Sequence, residues 1–233
     1  MNEHRIVDND QWLAARVQLL DKEKHFTRLR DELSQQRRDL PWRAVTTQYT
    51  FEGATGRRTL TDLFDGRSQL IIYHFMFPPD WQDGCPSCSF WADNFDGIPV
   101  HLNHRDTSFV AISRAPYDKL ATYRRRMGWN FEWLSSSGCD FNYDFGVSFT
   151  RQELADATAS YNYGSQNPGM EDREGVSVLY QDDSGSVFHT YSAYARGIDM
   201  LNGAYNFLDL TAKGRDEAGH DGPQFWVRRH DEY

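Results

Sequence analysis

Cysteine is scarce in this chain: only 3 occur among 233 residues, too few for the disulfide framework of a small secreted domain. A basic excess is also absent. The 34 acidic residues outnumber 25 lysines and arginines, for a net charge of -9, which argues against nucleic acid or an anionic membrane as the main partner. Ordinary solubility accounts for that acidity. Residues 1–30 hold no long apolar run and carry charges throughout, so neither a signal peptide nor a membrane-spanning helix is expected, and the expected location is cytoplasmic. Internal repeats and low-complexity segments are missing too. What the chain does have is length enough to bury a sizeable core without disulfide staples. Its aromatic content is 15%, with 7 Trp and 12 Tyr, which suits a bulky core or an aromatic-lined pocket.

Apolar residues near the start follow helical spacing: Leu13, Val17 and Leu20, then Phe26, Leu29 and Leu33. They predict an amphipathic helical extension over residues 1–45, in one or two pieces, with Asp10 as N-cap and an end before Pro41. Its stripe either packs on its own domain or reaches a second subunit in a homo-oligomer. Residues 46–233 form the main domain. In residues 48–60 a hairpin is expected, with Gly53 and Gly56 bounding its turn, and a short helix follows around residues 62–64. An apolar strand over 69–77, a helix over 89–102, a strand over 108–113 and a helix over 117–127 predict a parallel βαβ core. Ligands of such cores bind at the carboxyl ends of the strands, where Cys85 and Arg114 fall. Further on, Thr150 to Glu153 reads as a capping box, residues 161–174 as a loop, 176–180 and 186–191 as a hairpin, and 198–208 as a last helix.

Two of the cysteines stand in Cys85-Pro86-Ser87-Cys88, after the apolar strand and at a helix start. Exposed N–H groups and the helix dipole favour a thiolate there, lowering a thiol pKa from ~8.5 towards ~7 or below. Gly84 supplies a turn and Pro86 suits an early helical position, which fits a reactive cap better than inert core thiols. In a reducing compartment such a pair is catalytic or metal-binding. A zinc reading exists, because Cys85, Cys88, His101 and His104 nearly copy a Cys2His2 pattern, with the last spacing one residue short. A straight helix of about 12 residues would separate the two halves by ~18 Å, so metal binding needs a break near residues 94–99. Without it, His101 and His104 are surface residues of a helix end.

Other side chains carry two readings each. Cys139, in the loop-like Ser137-Gly138-Cys139-Asp140, is a second resolving thiol, a third metal ligand, or a cysteine without a role. Arg114 is a candidate to face the sulfurs and bind an anion or thiolate, against a plain surface cation. Trp81 and Trp91 flank the motif and either bind substrate or pack. His74 reads as a hydrogen-bonded core histidine and Arg124-Arg125-Arg126 as a solvated helix face.

The order hairpin, strand, CxxC helix, strand, helix, hairpin, helix resembles a thioredoxin fold with an N-terminal extension. The segments Arg37-Arg38-Asp39-Leu40-Pro41-Trp42, Tyr73-His74-Phe75-Met76-Phe77, Gly84-Cys85-Pro86-Ser87-Cys88 and Leu208-Asp209-Leu210 resemble, more narrowly, a thioredoxin-like family of unassigned function. Its members are commonly described as predicted dithiol-disulfide oxidoreductases. The likeness extends to Gly214-Arg215-Asp216-Glu217 and Trp226-Val227-Arg228. It implies an α/β fold with a central mixed sheet flanked by helices, a Cys85 attacker that is exposed, and a buried Cys88 resolver. No cofactor is called for, since the thiols themselves carry the electrons.

Two departures stand out. Thioredoxins carry a cis-proline before the strand facing the cysteines, whereas here Arg173-Glu174-Gly175 precedes Val176 and the nearest proline is Pro168. Arg173 resembles the matching part of peroxiredoxins, and Pro78 fits their proline seven residues before the attacking cysteine, but Gln82 replaces their hydroxyl residue. The expectation is a thiol-disulfide oxidoreductase acting on a disulfide, with an external thiol-reducing system restoring the pair. The alternatives are a peroxiredoxin-like thiol peroxidase, whose substrate is a peroxide, and a non-enzymatic redox-sensing binding module.

Overall fold

The computed structural model describes residues 4–164, 166–220 and 222–233. The chain divides into two compact units, Met1–Pro41 and Trp42–Tyr233. The first is essentially one helix, α1 (Asn9–Arg38), capped by Asp8, whose carboxylate accepts from the Gln11 N–H at 2.8 Å. The expected cap, Asp10, instead lies in the first turn. The helix is also unbroken, because its apolar and charged residues are all compatible with helix as far as the residues before Pro41.

The second unit is built on one eight-stranded sheet, ordered β1-β8-β7-β4-β5-β6-β2-β3. Its strands are β1 (Arg43–Ala44), β2 (Thr50–Gly53), β3 (Gly56–Thr59), β4 (Gln69–His74), β5 (Thr107–Ser113), β6 (Glu132–Ser135), β7 (Gly175–Gln181) and β8 (Val187–Tyr194). Between them lie α2 (Pro86–Ala92), α3 (Pro99–Asn103), α4 (Tyr117–Arg126), α5 (Phe141–Asp144), α6 (Arg151–Ala155) and α7 (Gly203–Leu208). Two 3-10 segments, Thr61–Phe64 and Ala195–Leu201, complete the main connections. Strand β1 pairs with β8 through Arg43 and Ala44, so the sheet already begins just after Trp42.

Strands β4, β5 and β6 run parallel, while β7 lies antiparallel to β4 and β8 antiparallel to β7. This β8-β7-β4-β5 core, with the cysteine helix following β4, is a thioredoxin-like arrangement. The hairpin β2-β3 forms as its Gly53 and Gly56 turn requires, and the Thr150–Glu153 capping box opens α6. Other local expectations change. The helix expected over 89–102 is two short helices, α2 and α3, because the turns of residues 93–98 and Pro99 interrupt it. The last helix is likewise divided at Asn202, whose side chain caps α7 by accepting from the Tyr205 N–H at 3.0 Å. Strand β6 and α5 were not expected at all.

Alternation along β4 sends its residues to two cores. Leu70 and Ile72 join Val110, Ile112, Phe141 and Leu134 on one side, and Tyr73 joins Trp133, Tyr123 and both Cys85 and Cys88 on the other. Among the described residues, no helix is long and apolar enough to cross a membrane.

Candidate active site

The site begins where β4 ends. After His74 the chain leaves the sheet but stays buried through Phe75, Met76 and Phe77, then crosses Pro78 and Pro79 and returns at Gly84. Gly84 is required by close approach: a Cβ there would sit 2.8 Å from ring carbons of both Phe75 and Tyr123. The Cys85 N–H donates to the Met76 carbonyl at 3.2 Å, which fixes the loop against the end of the strand. Cys85 is the N-cap of α2, and Pro86 occupies its first turn, where a missing N–H costs no intrahelical bond.

Both cysteines are free thiols. Cys85 is 8% exposed and Cys88 2%, so the attacker expected to be exposed is buried. The reason is the surrounding loops, described below, which an isolated strand-and-helix motif does not reveal. The two thiols have opposite environments. The nearby Cys88 thiol first, and then the N–H groups of Cys88 and Ser87 at the helix start, lower the Cys85 pKa against the effect of burial, although the Cys85 side chain makes no well-formed capping bond. Burial pushes the Cys88 thiol well up, and its bond to Cys85 adds to that rise, although the Met76 N–H donates to its sulfur at 3.4 Å. Of the two thiols, Cys85 is thus the more acidic and Cys88 the less acidic.

Both cysteines line a cavity of about 400 Å³ with Tyr73, Met76, Trp81 and Trp91. The opposite wall brings Tyr161, Met170, Arg173 and Glu174, and the 3-10 segment contributes Ala195, Ile198 and Asp199. Trp91 is held by its indole N–H, which donates to the Ile198 carbonyl at 3.0 Å. The Tyr73 hydroxyl is buried beside Cys88 without a well-formed hydrogen bond, and its burial first, then Cys88, raises its pKa well above the ordinary value. Glu174, directly before β7, adds negative potential at both sulfurs and opposes thiolate formation.

Trp81 is therefore placed with the thiols, as its position in the sequence suggested. Arg114 is not among the residues lining the cavity. Its Nε bonds Asp172 at 2.7 Å and its Nη1 donates to the Tyr143 hydroxyl at 2.8 Å, a buried ion pair that ties β5 to the segment before β7. The cavity's own cations are Arg173 and Arg196. Cys139 packs half-buried against the core on the other side of the sheet, where burial raises its pKa, so it is not gathered with the CxxC pair. His74 donates or accepts at 2.8 Å with Ser177 Oγ, stacks on Phe141, and is held neutral by burial down to a pKa of about 3. His101 and His104 lie on and just after α3 and are not cavity residues. Among the described residues, no group of three or more His, Cys, Asp or Glu is placed to hold a metal ion.

Sequence reasoning missed Tyr73, Met170, Glu174 and Tyr161 as site residues. For Tyr73 half a signal existed, since alternation puts it on the face opposite His74, and the fold makes that the cysteine side. The others arrive from a loop whose course has no local periodicity.

Several solved structures are similar in fold at low identity. A peroxidoxin BcpB from Mycobacterium tuberculosis is 16% identical, covering 69% of this chain and 92% of its own, at a TM-score of 0.46. A PrxQ variant from Xylella fastidiosa is 11% identical, with 71% and 95% covered, at 0.46. A peroxiredoxin Q variant from Xanthomonas campestris is 16% identical, with 70% and 98% covered, at 0.46. No curated protein matches the sequence significantly. One family model spans residues 1–233, so this chain with its CxxC cavity belongs to DUF899, described as bacterial proteins of unknown function.

Proposed function

We propose that this protein is a thiol-disulfide oxidoreductase in which Cys85 attacks and Cys88 resolves. The observation that carries the reading is that two neighbouring free thiols of one helix start line the same cavity, with opposed tuning, Cys85 lowered and Cys88 raised. The Cys85 thiolate attacks one sulfur of a substrate disulfide, forming a mixed disulfide and releasing the first substrate thiolate. Cys88 then gives up its proton and attacks the Cys85 sulfur, which forms the Cys85–Cys88 disulfide and releases the second thiol. Two electrons pass to substrate, and an external dithiol returns them to the pair. Trp81 and Trp91 offer the apolar surface against which substrate rests, and Arg173 the nearby positive charge.

Turnover of a disulfide by the reduced protein, measured with wild type and Cys85→Ser, tests the assignment. The variant is expected to lose turnover by ~100-fold or more. Full activity in Cys85→Ser would overturn it. A second reading, thiol peroxidase, is favoured by Arg173 lying on the same cavity as Cys85. There Cys85 thiolate takes one peroxide oxygen, becoming a sulfenic acid and releasing an alcohol or water, and Cys88 condenses with it, releasing water. Rapid consumption of peroxide by the reduced protein supports that reading; no reaction removes it. Redox-dependent association with a partner and no turnover in either assay would make the protein a redox-sensing binding module.

A further inference from the structure

The cavity over the thiols is walled in a way that decides what can reach them, given the dithiol chemistry proposed above. One wall is formed by Tyr161 and by residues 166–174. Its Tyr161 hydroxyl donates to the Glu174 carbonyl at 2.6 Å and accepts from the Ala195 N–H at 2.8 Å, and the Arg173 Nε donates to the Pro168 carbonyl at 2.5 Å. Another is the C-terminal segment, which places Pro223 and Gln224 on the cavity and is fixed by Glu217, whose carboxylate accepts from the Gln224 N–H and the Trp226 indole at 2.9 Å each. These walls are held by internal hydrogen bonds.

A protein disulfide presents its sulfur on an extended segment, which needs unpaired main chain beside the thiols. The main chain before β7 would be that edge. Here it is already paired. The Arg173 N–H donates to the Val147 carbonyl at 2.8 Å, the Phe149 N–H donates to the Glu171 carbonyl at 2.8 Å, and Ser148 bridges Asp172. The Glu174 carbonyl is taken by Tyr161. A polypeptide therefore finds the edge at Glu171 and Arg173 already occupied, and only a small part of Cys85 exposed. A volume of about 400 Å³ lies within the range of small-molecule sites. Trp81, Trp91, Met76 and Met170 give it apolar and aromatic walls, the buried Tyr73 hydroxyl has no well-formed hydrogen bond, and the charged groups on the lining, Arg173 and Arg196 with Glu174 and Asp199, balance in sign.

We infer that the dithiol acts on low-molecular-weight disulfides bearing aromatic or apolar groups and excludes disulfides of folded proteins, because the main-chain edge beside it is already paired, its sulfurs are buried, and the cavity above them is lined by Trp81 and Trp91.

The test uses the full chain, reduced and freed of reductant. It is mixed with dithiodipyridine, hydroxyethyl disulfide or insulin, and each rate is divided by that of free dithiothreitol with the same disulfide, which removes intrinsic reactivity. The normalised rate for dithiodipyridine is expected to exceed that for insulin by ~100-fold or more. Trp81→Ala is expected to lower the dithiodipyridine rate by ~10-fold and the hydroxyethyl disulfide rate by less than ~2-fold. Equal normalised rates for insulin and dithiodipyridine would overturn the selectivity and leave the dithiol reading standing. Absence of any Cys85-dependent reaction with all three would overturn the dithiol reading itself.

Discussion

The Arg229 guanidinium donates to the Gly84 carbonyl at 2.9 Å, joining residues 145 positions apart in the chain. The same side chain donates to the Tyr123 hydroxyl at 2.9 Å, and Tyr123 in turn shares a 2.8 Å bond with Ser89 on the cysteine helix. The C-terminal segment thus braces the loop that aims Cys85. Arg229→Ala should destabilise the protein by about 2 kcal/mol, the scale of buried bonds to a charged donor, as read by urea unfolding. Gly84→Ala should be worse, since its Cβ has no room against Phe75 and Tyr123.

Removing the Cys88 thiol should change how Cys85 titrates. The Cys88 thiol is the largest of the influences lowering the Cys85 pKa. In Cys88→Ala the Cys85 pKa rises, so less thiolate is present at neutral pH. The midpoint of its alkylation rate against pH then moves upward. An unchanged midpoint would show that the N–H groups of the helix start set the thiolate alone.

Stability should fall with acid in a window set by His74. Its pKa is about 3 in the folded protein against 6.5 when solvated, with burial the main cause. Below pH 6.5 the unfolded chain takes up a proton that the folded chain refuses. The contribution is therefore full above that pH and is lost towards pH 3, by up to about 1.4 kcal/mol per pH unit. His189, also lowered by burial, acts in the same direction. Urea unfolding at several pH values should show a shallower slope in His74→Gln than in wild type, whatever the variant's absolute stability.

Tyr73→Phe separates structure from chemistry. The hydroxyl is buried without a well-formed bond, so its removal should change stability by no more than ~1 kcal/mol. If it anchors substrate, the reaction with dithiodipyridine should slow by ~10-fold in the same variant. Loss of stability with unchanged rate would assign it to packing alone.

Cys139→Ser should leave disulfide turnover unchanged within ~2-fold, because that thiol packs against the opposite core. A large loss would mean that residues around Cys139 rearrange to meet the CxxC pair during turnover.

Much of the architecture was open to reading from the chain. The apolar runs that became β4 and β5, the glycine-bounded hairpin β2-β3 and the Thr150–Glu153 cap are local patterns, and each forms for a local reason. The division of the cysteine helix was harder, because the turns of residues 93–98 and Pro99 compete with helical propensity over few residues. Strand β6 escaped because Glu132, Trp133, Leu134 and Ser135 become a strand only by pairing with β5 and β2. The direction of Arg114 was not legible for a related reason. Its position after β5 is a property of order along the chain, whereas its direction is set by Asp172, 58 residues on.

The sequence by itself determined where two thiols stand: three positions apart, at a helix start after a buried strand. Tertiary structure decided how they differ and what surrounds them. Cys85 and Cys88 acquire opposed proton affinities through their proximity and burial, and Tyr161, Glu174 and Gln224 line the cavity they share. Those effects depend on groups brought together from distant parts of the chain, and electrostatic and steric contact act through space rather than along sequence.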